Sequence, residues 1–351
     1  MQGSHSVSRI VSRWENKRLQ IADRRSHIAG TPRSVLVVKP SSLGDVVHTL
    51  PAVHALKNAW PETKISWLVN SEWAPLLEGN ADLDLIILFP RNEFRGPRGW
   101  WRLTRWVREL KRPCPDLALD FQGLTRSALL ARAAGARRVH CLGDAEWIPR
   151  ALADRVVPAD RKSGHAVERY LRLTADLGVP VEKPLQFPLP AGDKPVGFVL
   201  NEPFLLLHPF SRGQCKSLAE ADVKRLCELL APQPIVLVGR TDTAFSAPEN
   251  CTNLLNRTTL SELIWLLRRA HFTVSVDSGP MHMAAAITSR LLGIHTWTEP
   301  RIVGPYRPEA WVWKNGNITR VAALGQAVNQ DWKPFSAEDV SAVAEFLRVH
   351  G

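Results

Sequence analysis

The stretch KPSSLGDVVHTLPAV, residues 39–53, decides how the chain is read. It leaves the apolar run Ser34–Val38 and leads into His54–Trp60, whose pattern is helical. Two serines, a glycine and an aspartate therefore fill a tight turn between a buried strand and a helix. One reading is structural: Gly44 supplies a permissive backbone and Asp45 caps the helix. The other is chemical, because strand–turn–helix junctions in open α/β sheets are where ligands bind.

Working outward, short apolar strands alternate with helical stretches: Val35–Val38, Ile65–Val69, Leu85–Leu88, Leu117–Asp120 and Val139–Leu142, then a helix over His165–Leu177. That alternation predicts a parallel sheet wrapped by helices. Residues 179–203 carry Pro180, Pro184, Pro188, Pro190, Pro195 and Pro203, too many for either element type, and read as the linker. Beyond them strands recur at Phe204–His208, Ile235–Val238, Phe272–Val276 and Leu291–Thr296, with helices at Leu226–Leu230 and Leu260–Arg269. Ser336 opens a last helix, Ala337–Val349. The expected architecture is α/β: two doubly wound Rossmann-like domains facing a central cleft. The boundaries are 1–33 for a basic extension, 34–190 and 191–335 for the two domains, and 336–351 for a C-terminal helix returning to the N-terminal domain.

Composition narrows the function classes. No run of about 18 apolar residues is present, and the start lacks the apolar core of a signal peptide. Cys114, Cys141, Cys215, Cys227 and Cys251 are scattered and never form Cys-x-x-Cys, which fits a reducing, cytoplasmic setting and no zinc site. Forty-five basic against thirty-four acidic residues give a net charge of +11. Such a balance suits an anionic partner: nucleic acid, a phosphorylated small molecule or an acidic membrane surface. In the extension, Ile10, Trp14 and Ile21 fall at roughly helical spacing, as in an amphipathic surface helix or a tail docked on its own domain.

Three further stretches lie where strands feed turns. Leu206–Lys216 holds Ser211, Arg212 and Lys216; Val236–Asp242 holds Gly239; Val274–His282 holds Asp277, Ser278, Gly279 and His282 and runs into a helix. A helix N-terminus with free N–H groups receives phosphate, and Lys216 and Arg212 could neutralise it. Each residue also has a plainer reading: a packed histidine for His282, a solvated lysine for Lys216, a helix cap for His165. Residues 91–112 place Arg98, Arg102, Arg105, Arg108 and Arg112 on one helical face opposite Trp100, Leu103, Val107 and Leu110. That stripe is either a solvated face or a grip for an acidic ligand. Asp82-Leu-Asp84 resembles a metal-binding Asp-x-Asp, but it precedes its strand, away from the cleft, and no metal is expected there.

SSLGDVVHTLPAV, DFQGLTRSALLARAAGARRV, HAVERYLRL and SVDSGPMHMAAA, in that order, resemble the lipopolysaccharide heptosyltransferases of glycosyltransferase family 9. The resemblance, over roughly residues 34–300, implies a GT-B fold and an inverting transfer of heptose from ADP-heptose to the lipopolysaccharide inner core. It implies Asp45 as general base, Lys216 and Ser211 at the donor phosphates, and Asp277, Ser278, Gly279 and His282 as the donor-binding turn. The acceptor side is assigned Arg98, Arg102, Arg105, Gln122 and His165. The partners implied are a nucleotide sugar and an acidic glycolipid, with no cofactor, no metal and no nucleic acid. The place implied is the cytoplasm, with the cytoplasmic face of the inner membrane as a peripheral contact. Departures cluster near the donor's base and sugar: Lys216-Ser-Leu-Ala lacks the family's Trp-Pro, Asp242 stands where a glutamate is usual, and Trp297-Thr-Glu-Pro300 matches only loosely. The alternatives are the same fold moving another nucleotide sugar to another acidic glycan, and a basic nucleic-acid-binding protein. No nucleic-acid-binding module supports the latter. A dinucleotide oxidoreductase is disfavoured because no G-x-G-x-x-G follows Val38.

Overall fold

The structure, a computed structural model, describes residues 30–94, 96–111, 114–199, 203–211, 216–325 and 333–351. The amphipathic pattern at Ile10, Trp14 and Ile21, and also Arg112, Arg212 and Cys215, lie outside the described residues, as does the side chain of Arg98.

The first sheet comprises β1 (Ser34–Val38), β2 (Lys64–Asn70), β3 (Leu85–Phe89), β4 (Leu117–Asp120), β5 (Arg138–Leu142) and β6 (Arg155–Val157). All are parallel, in the order β3-β2-β1-β4-β5-β6. Its helices are α1 (Leu43–Ala59), α2 (Pro97–Leu110), α3 (Thr125–Ala133), α4 (Trp147–Leu152) and α5 (Ala166–Asp176). Central strands buried on both faces read as continuous apolar runs, which is why β1, β4 and β5 were legible. The strand order reverses between β1 and β4, so the carboxyl ends of those two strands frame a crevice.

The second sheet comprises β7 (Leu205–His208), β8 (Ile235–Leu237), β9 (Cys251–Asn253), β10 (Phe272–Val276), β11 (Leu291–Ile294), β12 (Trp311–Lys314) and β13 (Asn317–Arg320). It runs β13-β12-β11-β10-β7-β8-β9, with only β13 antiparallel to its neighbour. The helices are α6 (Glu220–Leu229), α7 (Leu260–Arg269), α8 (Gly279–Ile287), the short α9 (Pro300–Val303) and α10 (Ala337–His350). Here the order reverses between β7 and β10, so His208 and Asp277 mark the second crevice. This is the GT-B arrangement: two doubly wound domains face to face.

The final helix departs from expectation. α10 packs on the second domain, not the first: Val340, Val343 and Leu347 share a core with Leu226, Cys227 and Phe272. Arg348 Nη2 donates to the Leu229 carbonyl at 2.6 Å, and Trp313 Nε1 donates to Asp339 Oδ1 at 3.3 Å. The apolar stripe of α10 meets the apolar face of α6.

Residues 179–199 run without regular structure and dock on α7. Arg268 Nη2 donates to the Leu189 carbonyl at 2.8 Å, and Ser261 Oγ donates to Asp193 at 2.7 Å. One apolar cluster spans both domains, joining Leu43, Val46 and Val47 of α1 to Met281, Met283 and Ala284 of α8. Among the described residues no helix is long and apolar enough to cross a membrane.

Candidate active site

The turn after β1 builds one wall. Gly44 lies in the first turn of α1, and no positive φ requires it there. A Cβ at Gly44 would stand 2.5 Å from Cδ2 of His282, and one at Gly279 would stand 2.5 Å from Cδ2 of Leu43. The two glycines let the N-terminal turns of α1 and α8 press together, which puts the crevices of the two sheets side by side.

Asp45, at the third position of α1, divides its labour between its oxygens. Oδ2 accepts from the backbone N–H of Ser42 at 3.1 Å and from its hydroxyl at 2.8 Å, so Asp45 does cap its helix. Oδ1 turns the other way and accepts from the Tyr170 hydroxyl at 2.6 Å, with Lys39 Nζ 3.7 Å away. Burial alone would raise the carboxyl pKa. Lys39, the Tyr170 hydroxyl, His48 and Ser42 outweigh it and hold the group well below the usual carboxylate range. The cap reading and the chemical reading therefore use different atoms of one side chain.

Behind Asp45 sits Lys39, 2% exposed, at the carboxyl end of β1. It donates to Tyr170 Oη at 2.8 Å and to the Phe121 carbonyl at 3.1 Å. Burial pushes its pKa down. Nearby, Asp120 accepts from the N–H groups of Gln122 and Gly123, each at 3.0 Å, and from Ser127 Oγ at 2.9 Å. Burial lifts its pKa to about 6 despite those donors. Gln122 Oε1 accepts from Ser41 N–H at 3.2 Å, tying the β4 turn to the β1 turn.

The opposite wall follows β10. Lys216 Nζ donates to Asp277 Oδ2 at 2.8 Å and lies 5.5 Å from the centre of the Trp297 ring, which is 55% exposed. Burial would raise the Asp277 carboxyl, but His295, His282 and Lys216 hold it below its ordinary value. Ser278 Oγ lies 3.3 Å from His208 Nδ1 and donates to the Val276 carbonyl at 3.2 Å. Ser211 is braced by Ser217, whose hydroxyl accepts from Ser211 N–H at 2.9 Å. The N-terminal turn of α8 adds backbone N–H groups and the positive end of the helix dipole.

Three histidines lie where the walls meet. His48 Nε2 and His282 Nδ1 are 3.0 Å apart, one ring from each domain. His165 accepts from Val167 N–H at 3.1 Å through Nδ1, which fixes its proton on Nε2, 2.9 Å from the Gly304 carbonyl. Burial pushes His165 down to about 4 and His48 well below its ordinary value. His282 packs against the other domain, with its Nε2 3.9 Å from Asp277 Oδ1. His165 has both nitrogens engaged, one in a helix cap and one in an interdomain bond.

The arginine stripe lies farther out. α2 follows β3, the edge strand of the first sheet, and packs through Trp106, whose Nε1 donates to the Leu88 carbonyl at 3.0 Å. Arg102 and Arg105 are exposed, and Arg105 pairs with Glu109 at 3.4 Å. Asp82 and Asp84 are spoken for: His54 Nδ1 lies 2.9 Å from Asp82, while Ile65 N–H and Lys57 Nζ donate to Asp84 at 2.8 and 3.3 Å. Among the described residues no group of three His, Cys, Asp or Glu side chains could hold a metal ion.

Sequence reasoning missed Lys39, Tyr170 and Trp297. A lysine directly after an all-apolar strand was the available signal for the first. Nothing in the spacing announced that Tyr170, 125 residues from Asp45, would meet it.

Residues 103–328 match the sequence model of glycosyltransferase family 9 (heptosyltransferase). Lipopolysaccharide heptosyltransferase 1 of Pseudomonas aeruginosa is 29% identical over 297 residues, covering 78% of this chain and 81% of that protein. The solved structure of Escherichia coli ADP-heptose lps heptosyltransferase II has a TM-score of 0.72 at 21% identity, covering 90% of this chain and 98% of that one. E. coli heptosyltransferase WaaC with ADP has a TM-score of 0.70 at 23% identity, covering 91% and 100%. Lys39 and Asp45 precede the segment that the family model covers, so their place in the site rests on geometry.

Proposed function

The chain belongs to glycosyltransferase family 9, the heptosyltransferases, and on that premise we propose that it moves heptose from ADP-heptose to the inner core of lipopolysaccharide, inverting the anomeric carbon, with Asp45 as general base. The observation that carries this reading is the junction of α1 and α8. There the helix turn that carries a partly exposed carboxylate, Asp45, meets the N-terminus of the helix that follows Asp277, the partner of Lys216.

Residues 34–190 form the acceptor side and 191–335 the donor side. Asp45 takes the proton of the attacking acceptor hydroxyl as its oxygen bonds to the anomeric carbon. The bond from that carbon to the diphosphate breaks, and its electron pair leaves with the phosphate. Lys216, steered by Asp277, and the positive end of the α8 dipole at Ser278 and Gly279 stabilise the departing charge without a cofactor. Ser211 stands beside them, and Trp297 offers a flat apolar face to the donor's base or sugar. Gln122 holds the acceptor-side turn, and Arg98, Arg102 and Arg105 attract the anionic groups of the glycolipid from the rim. A nucleotide-sugar donor and a lipid-borne acceptor fit a cytoplasmic enzyme working at the membrane's cytoplasmic face.

The test is transfer by purified protein from ADP-heptose to a heptose-free core acceptor, with UDP- and GDP-sugars as competing donors and the product's anomeric configuration read by NMR. Inverted heptose transfer from ADP-heptose is expected, and its loss by roughly 10² or more in Asp45→Asn. Transfer from another nucleotide sugar alone would replace the donor assignment, and an active Asn variant would reduce Asp45 to a cap.

A further inference from the structure

A carboxylate offers about four lone-pair positions, and those of Asp45 are nearly filled. The amide and hydroxyl of Ser42 occupy both positions on Oδ2. Tyr170 occupies one on Oδ1. The direction of that bond is forced: Lys39 and Arg169 are donors only, and both donate to the Tyr170 oxygen, at 2.8 and 3.1 Å. The single phenol proton therefore goes to Asp45.

We propose that Tyr170 and Lys39 are positioning residues for the transfer: from behind the site they lock the Asp45 carboxylate so that one lone pair of Oδ1 is left to receive the acceptor's proton. The proposal rests on Asp45 being the base. Neither side chain can reach a ligand itself, since Tyr170 is 1% and Lys39 2% exposed, while the Asp45 side chain is 34% exposed. Lys39 is pinned at its far side by the Phe121 carbonyl at the end of β4, and Tyr170 by its edge-on contact with the Phe121 ring, centroids 5.9 Å apart. The device thus ties β1, β4 and α5 to one oxygen of α1.

The charged and titratable groups facing Asp45 are Lys39 from β1, Tyr170 and Arg169 from α5, His48 from its own helix and His282 from α8, with Asp120 behind Lys39. Burial favours the neutral acid, and Lys39 is the strongest influence against it. Without Lys39 the largest influence opposing burial is gone, and the carboxyl titrates upward.

Two variants test this. Tyr170→Phe keeps the ring and removes the donor; kcat should fall about tenfold or more through lost alignment, while ADP affinity by calorimetry and the acceptor KM stay within about twofold. Lys39→Met should give kcat/KM an acid limb at least about one pH unit above any in the wild type, so that activity near that limb drops about tenfold. Wild-type kcat in Tyr170→Phe together with a wild-type pH profile in Lys39→Met would overturn the proposal. Asp45→Asn run alongside separates the causes. If Asn abolishes transfer while the other two variants behave as wild type, only the positioning roles fall. If Asn is active, the base assignment falls and takes the proposal with it. Should Lys39→Met fail to give a cooperative melt, the split between kcat and KM in Tyr170→Phe decides alone.

Discussion

Gly44→Ala is the most direct probe of the junction between the domains. The added methyl would sit 2.5 Å from His282 Cδ2, 3.2 Å from Nε2 and 3.3 Å from Cγ. Ordinary contact begins near 3.5 Å, so one of the two must move by about 1 Å. The imidazole cannot swing away cheaply, because His48 lies 3.0 Å from its Nδ1 and Met281 and Met283, its neighbours in α8, are fully buried. Overpacking of a close-packed interface typically costs about 1–3 kcal/mol. In a protein of this size that lowers Tm by a few degrees. The larger effect falls on turnover: separating α1 from α8 by about 1 Å moves Asp45 relative to Lys216, and such misplacement costs up to about 10²-fold. Differential scanning calorimetry and steady-state transfer assays measure the two. The specific contact is checked by a double-mutant cycle with His282→Ala, which vacates the space the methyl needs. The stability costs should be strongly non-additive, with Gly44→Ala much milder in the His282→Ala background. Wild-type Tm and kcat in Gly44→Ala, or additive costs in the cycle, would mean that the two helix ends do not meet in solution as they do here.

Lys216→Ala should weaken ADP binding as well as transfer, because the charge meets the diphosphate in donor and product alike; unchanged ADP affinity by calorimetry would remove Lys216 from the donor site. EDTA should leave turnover largely intact if Lys216 and the α8 N-terminus carry the leaving group's charge, and a complete loss restored by magnesium or manganese would contradict that. Replacing Arg98, Arg102 and Arg105 by Gln should raise the acceptor KM, leave the donor KM nearly unchanged and flatten the salt dependence of acceptor binding, since exposed charges are screened over about 8–10 Å; identical salt slopes would make the stripe a solvated face. Stability should fall with acid earlier than the carboxylates alone require. His165, His208 and His295 are pushed down to about 4 by burial, so between about 6.5 and 4 the unfolded chain binds protons that the folded one refuses. Their contribution is fully present above about pH 6.5 and is lost as pH falls toward 4, at up to about 1.4 kcal/mol per histidine per pH unit. Urea melts between pH 7.5 and 5 with a constant midpoint would refute it.

What was legible in the sequence follows from which physics is local. Strands β1, β4 and β10 are buried on both faces, so their apolar runs announce them, and Phe272–Val276 and Leu117–Asp120 match residue for residue. Cys251–Asn253 and Asn317–Arg320 are short, polar and only partly buried, and their strand state comes from pairing with β8 and β12, which no window of sequence contains. The site divides the same way. Asp45, Lys216 and Asp277 stand out in the sequence because each lies in a stretch that follows an apolar strand, and the structure pairs Lys216 with Asp277. Gly44 was read as backbone freedom, yet its reason is a histidine 238 positions later pressing on it from the other domain. For His282 and His165 the sequence leaves two readings open, a ligand-facing ring and a packed or capping one. The partners of their nitrogens, His48 and the Gly304 carbonyl, belong to the opposite domain, so no local window of sequence contains them. The same argument explains why Tyr170 and Lys39 escaped notice. Both lie within quoted stretches, but what would give them a role is contact with Asp45 across the fold, direct for Tyr170 and through the Tyr170 hydroxyl for Lys39, and spacing does not show it.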